Sequence, residues 1–337
     1  MRYLILLTML LWPLATVAQE WEDQGFFGNP DAAASLRIIS STDTSFFAPI
    51  IESFVGQNPS ISVDYFVTST ADLDRRVRAH PTSYDVVVSS AMDLQLKLAN
   101  DGYARELSVD GLPDWAQWRK SLFAFTTEPA TIAINRSAFP EGEIPQSRQD
   151  LIRALRADGD AFQGRVGTYD VRLSAAGYLF ATQDARASET FWRLMEVMGS
   201  LDAKLYCCSS AMIDDLIAGK IDVAYNVLGS YAQARLPEAD DLHIILPSDF
   251  PTTMMRSALV PVGSENPEDA EAFVRHLIAL QTAPAGQFDL PLPQLDLTDA
   301  AGNRSNIALE PALMTYLDTI KRRSFLKEWE SAVIQGD

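Results

Sequence analysis

Histidine and cysteine are scarce in this chain, which has three histidines and two cysteines among 337 residues. His80, His243 and His276 lie in no spacing typical of Ser–His catalysis or of a histidine-rich metal site. The sequence also lacks a G-x-S-x-G motif, a P-loop and a G-x-G-x-x-G fingerprint. We therefore predict that the protein is not an enzyme and holds neither a resident metal ion nor a cofactor.

Basic residues are also fewer than acidic ones. The 27 lysines and arginines face 45 aspartates and glutamates, for a formal net charge of −18. This acidity argues against a nucleic-acid partner, because a phosphate backbone needs a cationic surface. A small anionic ligand stays compatible with it, since a few donors aimed into a cleft can outweigh a diffuse surface field.

A long apolar run occurs at the N-terminus, over residues 4–15, after Arg2 and before the small residues Thr16 and Ala18. As a helix this run would extend about 18 Å, whereas a bilayer core needs about 30 Å. The order of basic, apolar and small residues is typical of a secretory signal peptide. We predict export, with residues 1–18 removed by cleavage near Ala18; an uncleaved membrane anchor is the less favoured alternative.

The two cysteines, Cys207 and Cys208, are adjacent. Consecutive Cα atoms lie about 3.8 Å apart, below the usual disulfide range of about 4.4 to 6.8 Å, so a bond between them would be strained. The sequence favours two buried thiols. A vicinal disulfide or a redox switch stays open, because exported proteins meet oxidising surroundings.

Strand and helix patterns alternate along the chain. Apolar runs or period-two alternation predict strands at 36–39, 61–67, 84–88, 131–134, 165–169, 221–227, 243–246 and 257–262. Helical spacing predicts helices from near Ser45 and at 71–79, 151–158, 190–198, 212–219, 267–281 and 312–334. Ser90 is expected to cap a further helix, with Asp93 in the capping-box position. Strands separated by helices predict an α/β fold with a parallel sheet, and the length predicts two lobes.

Hydroxyl residues gather where predicted strands run into helices. In open parallel sheets these carboxyl-end loops face the ligand crevice. Each is also a helix N-terminus, where free N–H groups and the positive end of the dipole favour anions. Simple helix capping is the alternative for any single residue. The candidate ligand contacts of this type are Ser41, Thr42, Ser69, Thr70, Ser89 and Ser90.

The middle of the chain offers a matching set within the stretch GTYDVRLSAAGY. Arg172 in this turn could clamp a carboxylate or a phosphate with two hydrogen bonds, although a solvated surface arginine is the alternative. The tetrapeptide SSAM occurs at 89–92 and again at 209–212, each time before a helical run. The candidate ligand contacts of this half are Tyr169, Asp170, Arg172, Ser174, Ser209, Ser210 and Asn226.

Several segments, taken jointly, resemble one known family. They are SSTDTSFFAPIIESF, YDVVVSSAMDLQLKLANDGYA, TTEPATIAINR, GRVGTYDVRLSAAGYLF, IDVAYNVLGSYA and YLDTIKRRSFLKEW. The chain is similar to type II periplasmic solute-binding proteins of ABC transporters, in the branch related to ferric-iron binders and to phosphorylated-sugar and phosphoglycerate binding and sensing proteins. The resemblance implies a two-lobed Venus-flytrap with a central sheet flanked by helices in each lobe. It assigns residues 36–125 and 252–337 to lobe one and residues 126–251 to lobe two.

The resemblance also implies a function. A periplasmic monomer would capture a small anionic organic solute, an organic phosphate or a carboxylate, by lobe closure and deliver it to an ABC permease. Two alternatives stay open: a solute-sensing accessory protein of a sensor histidine kinase, and a ferric-iron binder. Ferric members of the group hold iron through neighbouring tyrosines. Here Tyr225 and Tyr231 are six positions apart, and Gly229 and Ser230 stand where the pair is expected, which disfavours iron.

Overall fold

The computed structural model describes residues 21–140, 143–284, 286–297 and 306–335. The predicted signal peptide lies outside the described residues. Within those ranges, no helix has the length and apolar character that crossing a membrane requires.

The described chain forms a mixed α/β structure. Its strands are β1 Asp23–Phe27, β2 Ala34–Ser40, β3 Ile61–Val67, β4 Val86–Ser89, β5 Gln117–Trp118, β6 Leu122–Ala124, β7 Glu128–Asn135, β8 Val166–Tyr169, β9 Lys204–Tyr206, β10 Val223–Leu228, β11 Leu242–Ile245, β12 Thr253–Met254 and β13 Ser257–Leu259. Its α-helices are α1 Thr44–Gln57, α2 Thr70–Ala79, α3 Met92–Asn100, α4 Arg148–Ala157, α5 Gly159–Phe162, α6 Ala175–Ala187, α7 Thr190–Ser200, α8 Ser209–Ile217, α9 Gly229–Arg235, α10 Pro267–Gln281 and α11 Thr319–Val333.

The first sheet has seven strands in the order β1-β3-β2-β4-β13-β6-β5. Its centre is parallel, because β2 pairs in parallel with both β3 and β4. The four residues of β4 are all buried, as expected of a strand covered on both faces. The antiparallel strands β1 and β13 extend this centre on either side. The predicted parallel α/β unit is confirmed in this half of the molecule.

The second sheet has the order β11-β7-β10-β8-β9, with β12 paired to β7 outside this path. Here β8 runs parallel to β10 and β9, while β7 runs antiparallel to β10 and β11. Two sheets flanked by helices confirm the predicted two-lobed α/β architecture.

The C-terminal segment does not stay with one lobe, in contrast to the assignment of residues 252–337 to lobe one. Helix α10 packs on the first sheet, where the ring of Phe273 meets that of Phe54 at 5.1 Å between centroids. Helix α11 packs on the helices of the second sheet, where Phe325 and Trp329 are buried in the core. Gly199 makes this docking possible, because a Cβ at its position would lie 2.2 Å from the carbonyl oxygen of Ala332.

Some local features of the structure were not predicted from the sequence or differ from the prediction. Strand β1 precedes the predicted start of the fold at residue 36. Helix α6 shows no amphipathic period because residues 175–182 are all buried, so periodicity could not reveal it. The expected Ser90 cap of α3 is wrong: Ala91 occupies the N-cap position without a side-chain hydrogen bond, and Asp93 is buried.

Candidate functional site

A cavity of about 60 Å³ lies between the two lobes. Its wall is dominated by hydroxyl groups and includes two carboxyls and two thiols. The lining residues are Glu22, Ser41, Asp43, Thr68, Ser69, Thr70, Ser90, Tyr169, Ser174, Ala176, Cys207, Cys208, Ser209, Ser210, Leu228 and Tyr231.

Helix N-termini from both lobes converge on this cavity. Asp43, Ser69, Ser174 and Cys208, which all line it, are the N-cap residues of α1, α2, α6 and α8. Helix α3 begins two residues after the lining residue Ser90. The positive dipole ends of these helices make the cavity favourable for negative charge. Some of their first N–H groups are bonded to side chains of the wall: Ser69 accepts that of Asp72, and Ser174 accepts that of Gly177.

The two lobes touch each other at the rim of the cavity. The hydroxyl of Thr70 accepts a hydrogen bond from the backbone N–H of Ala175 at 3.0 Å. Across the same gap the backbone N–H of Asp43 donates to the hydroxyl of Tyr231 at 3.3 Å, and the Tyr231 ring stacks on Phe46 at 4.5 Å. The structure therefore shows the lobes in a closed arrangement.

A tyrosine–serine pair forms part of the wall contributed by the second sheet. The hydroxyls of Tyr169 and Ser209 lie 2.5 Å apart, and the Ser209 hydroxyl also accepts the backbone N–H of Leu228 at 3.0 Å. Burial raises the pKa of Tyr169, so the phenol stays protonated. Gly177 permits this arrangement, because a Cβ there would lie 2.3 Å from Tyr169 Cβ.

Two carboxyl groups, Glu22 and Asp43, face the cavity. Burial raises the pKa of both, and their mutual repulsion raises the pKa of Glu22 further. Neither belongs to a metal cluster: among the described residues, no group of three or more His, Cys, Asp or Glu side chains is suited to hold a metal ion.

A buried ion pair lies directly behind the wall. Arg256 and Glu128 are fully buried and form a salt bridge. A second guanidinium nitrogen of Arg256 donates to the hydroxyl of Thr42 at 2.7 Å, and the guanidinium lies 5.6 Å from the ring centroid of Tyr231. Glu128 in turn accepts the hydroxyl of Ser230. The pair thus supports the cavity wall without lining it.

The structure brings most of the predicted ligand contacts together. Those that line the cavity are Ser41, Ser69, Thr70, Ser90, Tyr169, Ser174, Ser209 and Ser210. Thr42 and Ser89 are buried next to it, where the Thr42 hydroxyl binds Arg256 and the Ser89 hydroxyl accepts the N–H of Ala91.

Arg172 and Asp170 stand outside the set of lining residues. The guanidinium of Arg172 donates to both carboxylate oxygens of Asp170, at 2.8 and 2.7 Å. Its remaining neighbours are Glu330 and the ring of Trp329 on α11. Arg172 therefore stabilises the turn after β8 and faces α11. Its guanidinium is bound to Asp170 and is not free to bind a ligand.

Asn226 also lies away from the lining, at a bulge in β10 where its backbone adopts φ +63°. Its amide nitrogen donates to the buried carboxylate of Asp184 at 2.8 Å. The same carboxylate accepts the hydroxyl of Tyr225 at 2.7 Å, and Arg148 donates to that hydroxyl at 2.6 Å. Tyr225 therefore belongs to this buried network, whereas Tyr231 lines the cavity.

Sequence reasoning missed several parts of the site. Glu22 lay ahead of the expected fold boundary, and Asp43 sits in a hydroxyl-rich turn that drew attention to its neighbours. The expectation of two buried thiols is wrong: Cys207 is exposed, Cys208 is half-buried, and both line the cavity. The repeated SSAM tetrapeptide could have pointed to the cysteines, since they directly precede its second copy.

Comparison with known proteins agrees with this geometry. The family model of bacterial extracellular solute-binding proteins matches residues 36–285. The substrate-binding protein of an ABC transporter from Agrobacterium tumefaciens is 30% identical, with a TM-score of 0.84 over 92% of this chain and 98% of that one. The chain therefore belongs to the bacterial extracellular solute-binding proteins, of the type that serves ABC transporters.

More distant structures share the fold. AfuA from Actinobacillus pleuropneumoniae, with fructose-6-phosphate bound, is 15% identical with a TM-score of 0.65, over 90% of this chain and all (100%) of that one. Iron-bound HitA from Pseudomonas aeruginosa is 15% identical with a TM-score of 0.62, over 89% of this chain and 99% of that one. A comparison with curated protein sequences found no match.

Proposed function

We propose that the protein captures a small organic anion, a phosphate or a carboxylate, by closing its two lobes in the periplasm, and delivers it to an ABC permease. One observation carries the proposal: five helices of nine or more residues, α1, α2 and α3 from one lobe and α6 and α8 from the other, begin at one cavity. Each start favours negative charge, and closure excludes the water that would screen it.

The size of the cavity supports a compact charged group. The 60 Å³ of the cavity exceeds the about 10 to 15 Å³ that one water needs, so there is room for a small polar group. A phosphoryl or a carboxyl group is of that size. A larger ligand would hold the lobes further apart.

The two carboxyls in the wall narrow the ligand class. Glu22 and Asp43 would repel an anion when both are charged, but burial raises the pKa of each. Hydroxyl groups on the ligand would satisfy these carboxyls by hydrogen bonding to them. We infer that the solute carries hydroxyls beside its anionic group, as a sugar phosphate or a hydroxy acid does.

The energetics are adequate for capture. Charge-assisted hydrogen bonds contribute about 1.5 to 3 kcal/mol each, so four to six of them exceed the roughly 8 kcal/mol of micromolar binding. The surplus is available for shifting the equilibrium towards the closed form. Contacts such as that between Thr70 and Ala175 would stabilise that form once the solute has neutralised the helix ends.

The alternative of ferric-iron binding through paired tyrosines finds no support at Tyr225, whose hydroxyl is held by Asp184 and Arg148. Docking on a sensor histidine kinase would use the same closed form. Deletion of the gene separates the two roles of that form: lost uptake of the solute supports transport, and intact uptake with lost induction supports sensing.

Calorimetric titration of the purified protein tests the ligand class. The panel contains inorganic phosphate, sugar phosphates, phosphoglycerates, hydroxy dicarboxylates and ferric ion. Two variants on one strand provide a matched pair, since Ser41 follows the carboxyl end of β2 at the cavity and Ser35 lies near its amino end, bonded to Asp64. Ser41→Ala should weaken anion binding about tenfold and Ser35→Ala should leave it unchanged.

Tight binding of ferric ion with no response to any organic anion would overturn the proposal. So would equal effects of the two serine substitutions, because the cavity would then not be where the anion binds.

A further inference from the structure

Two adjacent thiols face the interlobe cavity. The sulfur atoms of Cys207 and Cys208 lie 2.8 Å apart, and both residues line the cavity. They are also the only two cysteines of the chain. Cys207 is exposed, so that reagents in solution can reach the pair.

The surroundings of Cys208 favour its thiolate. Cys208 is the N-cap residue of the nine-residue helix α8, where the positive end of the helix dipole meets the sulfur. The Cys207 sulfur lies within hydrogen-bond distance of it, and the Ser210 hydroxyl donates a hydrogen bond to it at 3.6 Å. The interaction with the Cys207 thiol lowers the pKa of Cys208 to about 6 against the effect of burial.

We propose that Cys207 and Cys208 form a thiol–disulfide exchange site in the wall of the solute cavity, which small disulfides convert into a vicinal disulfide that changes solute affinity. The inference about the disulfide stands on the geometry of the pair. The inference about affinity rests on the proposed function.

The exchange proceeds in two balanced steps. The Cys208 thiolate attacks one sulfur of a disulfide R–S–S–R, forming a mixed disulfide and releasing one thiolate RS⁻. Cys207 then loses its proton to that RS⁻ and attacks the Cys208 sulfur, which expels the second RS⁻. In these steps the cysteines lose two electrons and one proton, and the small disulfide becomes one thiol RSH and one thiolate RS⁻. The thiolate RS⁻ can take up from water the proton that Cys208 released when it ionised. The 2.8 Å separation of the two sulfurs brings them within reach for the second step, which has to overcome the strain of a disulfide between adjacent residues.

Oxidation would alter the cavity in a defined direction. The reduced pair places a thiolate among the lining residues, and its charge repels an anionic solute. The disulfide is neutral, so the oxidised form should bind the anion several-fold more tightly. Ser209, which follows Cys208 and is bonded to Tyr169 and Leu228, would transmit any shift of this segment to the wall.

Oxidised glutathione tests the exchange site without any solute. The reduced protein is incubated with it, and intact mass and free thiols are measured over time. Wild type should lose two hydrogen atoms and both free thiols, without retaining glutathione. Cys207→Ser should stop at one glutathione adduct on Cys208, and Cys208→Ser should react at least about tenfold more slowly than Cys207→Ser at neutral pH.

Wild-type protein that keeps both thiols, that retains glutathione, or that cross-links into dimers would overturn the exchange site. Equal reaction rates of the two single variants would also contradict the role given to Cys208.

The effect on the cavity is measured separately, with inorganic phosphate as the probe for both redox forms. Tighter binding by the oxidised form supports the whole inference, and equal affinities overturn the coupling to the solute. If the disulfide forms but neither form binds any anion of the panel, the proposed function fails while the exchange site stands. If an anion of the panel binds but the disulfide does not form, the exchange site fails while the proposed function stands.

Discussion

Two buried arginines of this protein have similar chemistry and different neighbours. Arg256, which directly precedes β13, pairs with Glu128, the first residue of β7. Its side chain also contacts Thr42 and Tyr231, which belong to the cavity wall or its backing. Arg148 lies in the second lobe, in a salt bridge with Asp184. Both side chains are fully buried.

The hydrogen-bond partners of the Arg148 side chain all lie away from the cavity. Its nitrogens reach the Tyr225 hydroxyl, the carboxylates of Asp184 and Asp249 and the carbonyl of Phe250. None of these partners is among the residues that line the described cavity. The difference teaches that burial of an ion pair does not by itself indicate a functional site. What matters is whether its other contacts are with residues at the cavity or only with the core.

The largest expected effect is on stability, from Arg148→Ala. This change leaves Asp184 buried without its cation, which should lower the free energy of unfolding by about 3 to 5 kcal/mol. Arg153→Ala on the same helix is the control, since its exposed pair with Asp150 should matter by about 0.5 kcal/mol or less. Urea denaturation measures both. Anion affinity of the folded Arg148→Ala protein should equal that of wild type, and a parallel loss of affinity would break the comparison.

Arg256 should affect both stability and binding. Arg256→Ala leaves Glu128 unpaired and releases Thr42 and Tyr231, so we expect a comparable loss of stability and at least about a tenfold loss of anion affinity. Arg256→Lys is the milder variant, which keeps the charge but not the forked geometry. Titration of that variant at a temperature where it is folded separates the two effects. Unchanged affinity would make Arg256 purely structural.

A third buried ionisable group, Asp93, makes the stability of the folded protein depend on pH. Burial raises its pKa to about 7 in the folded protein from about 3.8, so the native state binds a proton that the unfolded chain releases between these values. Its contribution to stability is fully present below about pH 4 and is lost as the pH rises to about 7. Asp93→Asn should therefore stabilise the protein at pH 8, by at most about 4 kcal/mol, and have little effect at pH 4. A gain of equal size at both pH values would contradict this origin.

The smallest effect is expected at Arg172. It is 38% exposed and bound to Asp170, so Arg172→Ala should cost less than about 1 kcal/mol of stability and leave anion affinity unchanged. A loss of affinity by about thirtyfold, or about 2 kcal/mol, would instead support the ligand clamp that the sequence suggested. Titration with the anion that wild type binds distinguishes the two outcomes.

The sequence was informative wherever the pattern was local. Alternating strand and helix signals predicted the α/β class, and helix α10 was predicted at its observed limits, residues 267–281. The turns after β2, β3 and β4 were predicted to hold ligand contacts because the carboxyl ends of parallel strands share one edge. In the structure Ser41, Ser69 and Ser90 from these three turns do line one cavity.

Local sequence patterns could not predict which elements pack together or which charged side chains pair. The period of α11 shows which of its faces is apolar, but only the packing of Phe325 and Trp329 decides that it belongs with the second sheet. Arg172 has the chemistry of an anion clamp, but it binds Asp170, two positions earlier, at 2.7 Å, and only the fold places Glu330 and Trp329 of α11 beside it. Arg256 and Glu128 are 128 positions apart in the chain, so no local signal could pair them.

The amino-acid sequence by itself determined the two α/β units, the family and the hydroxyl-rich turns, because these depend on residue type and short-range periodicity. Tertiary structure alone decided which arginine supports the cavity, which carboxyls line it and that the two thiols line it as well. These features depend on contacts between residues far apart in the chain. The contribution of each contact to the free energy of folding depends on its burial and on the distance between the groups.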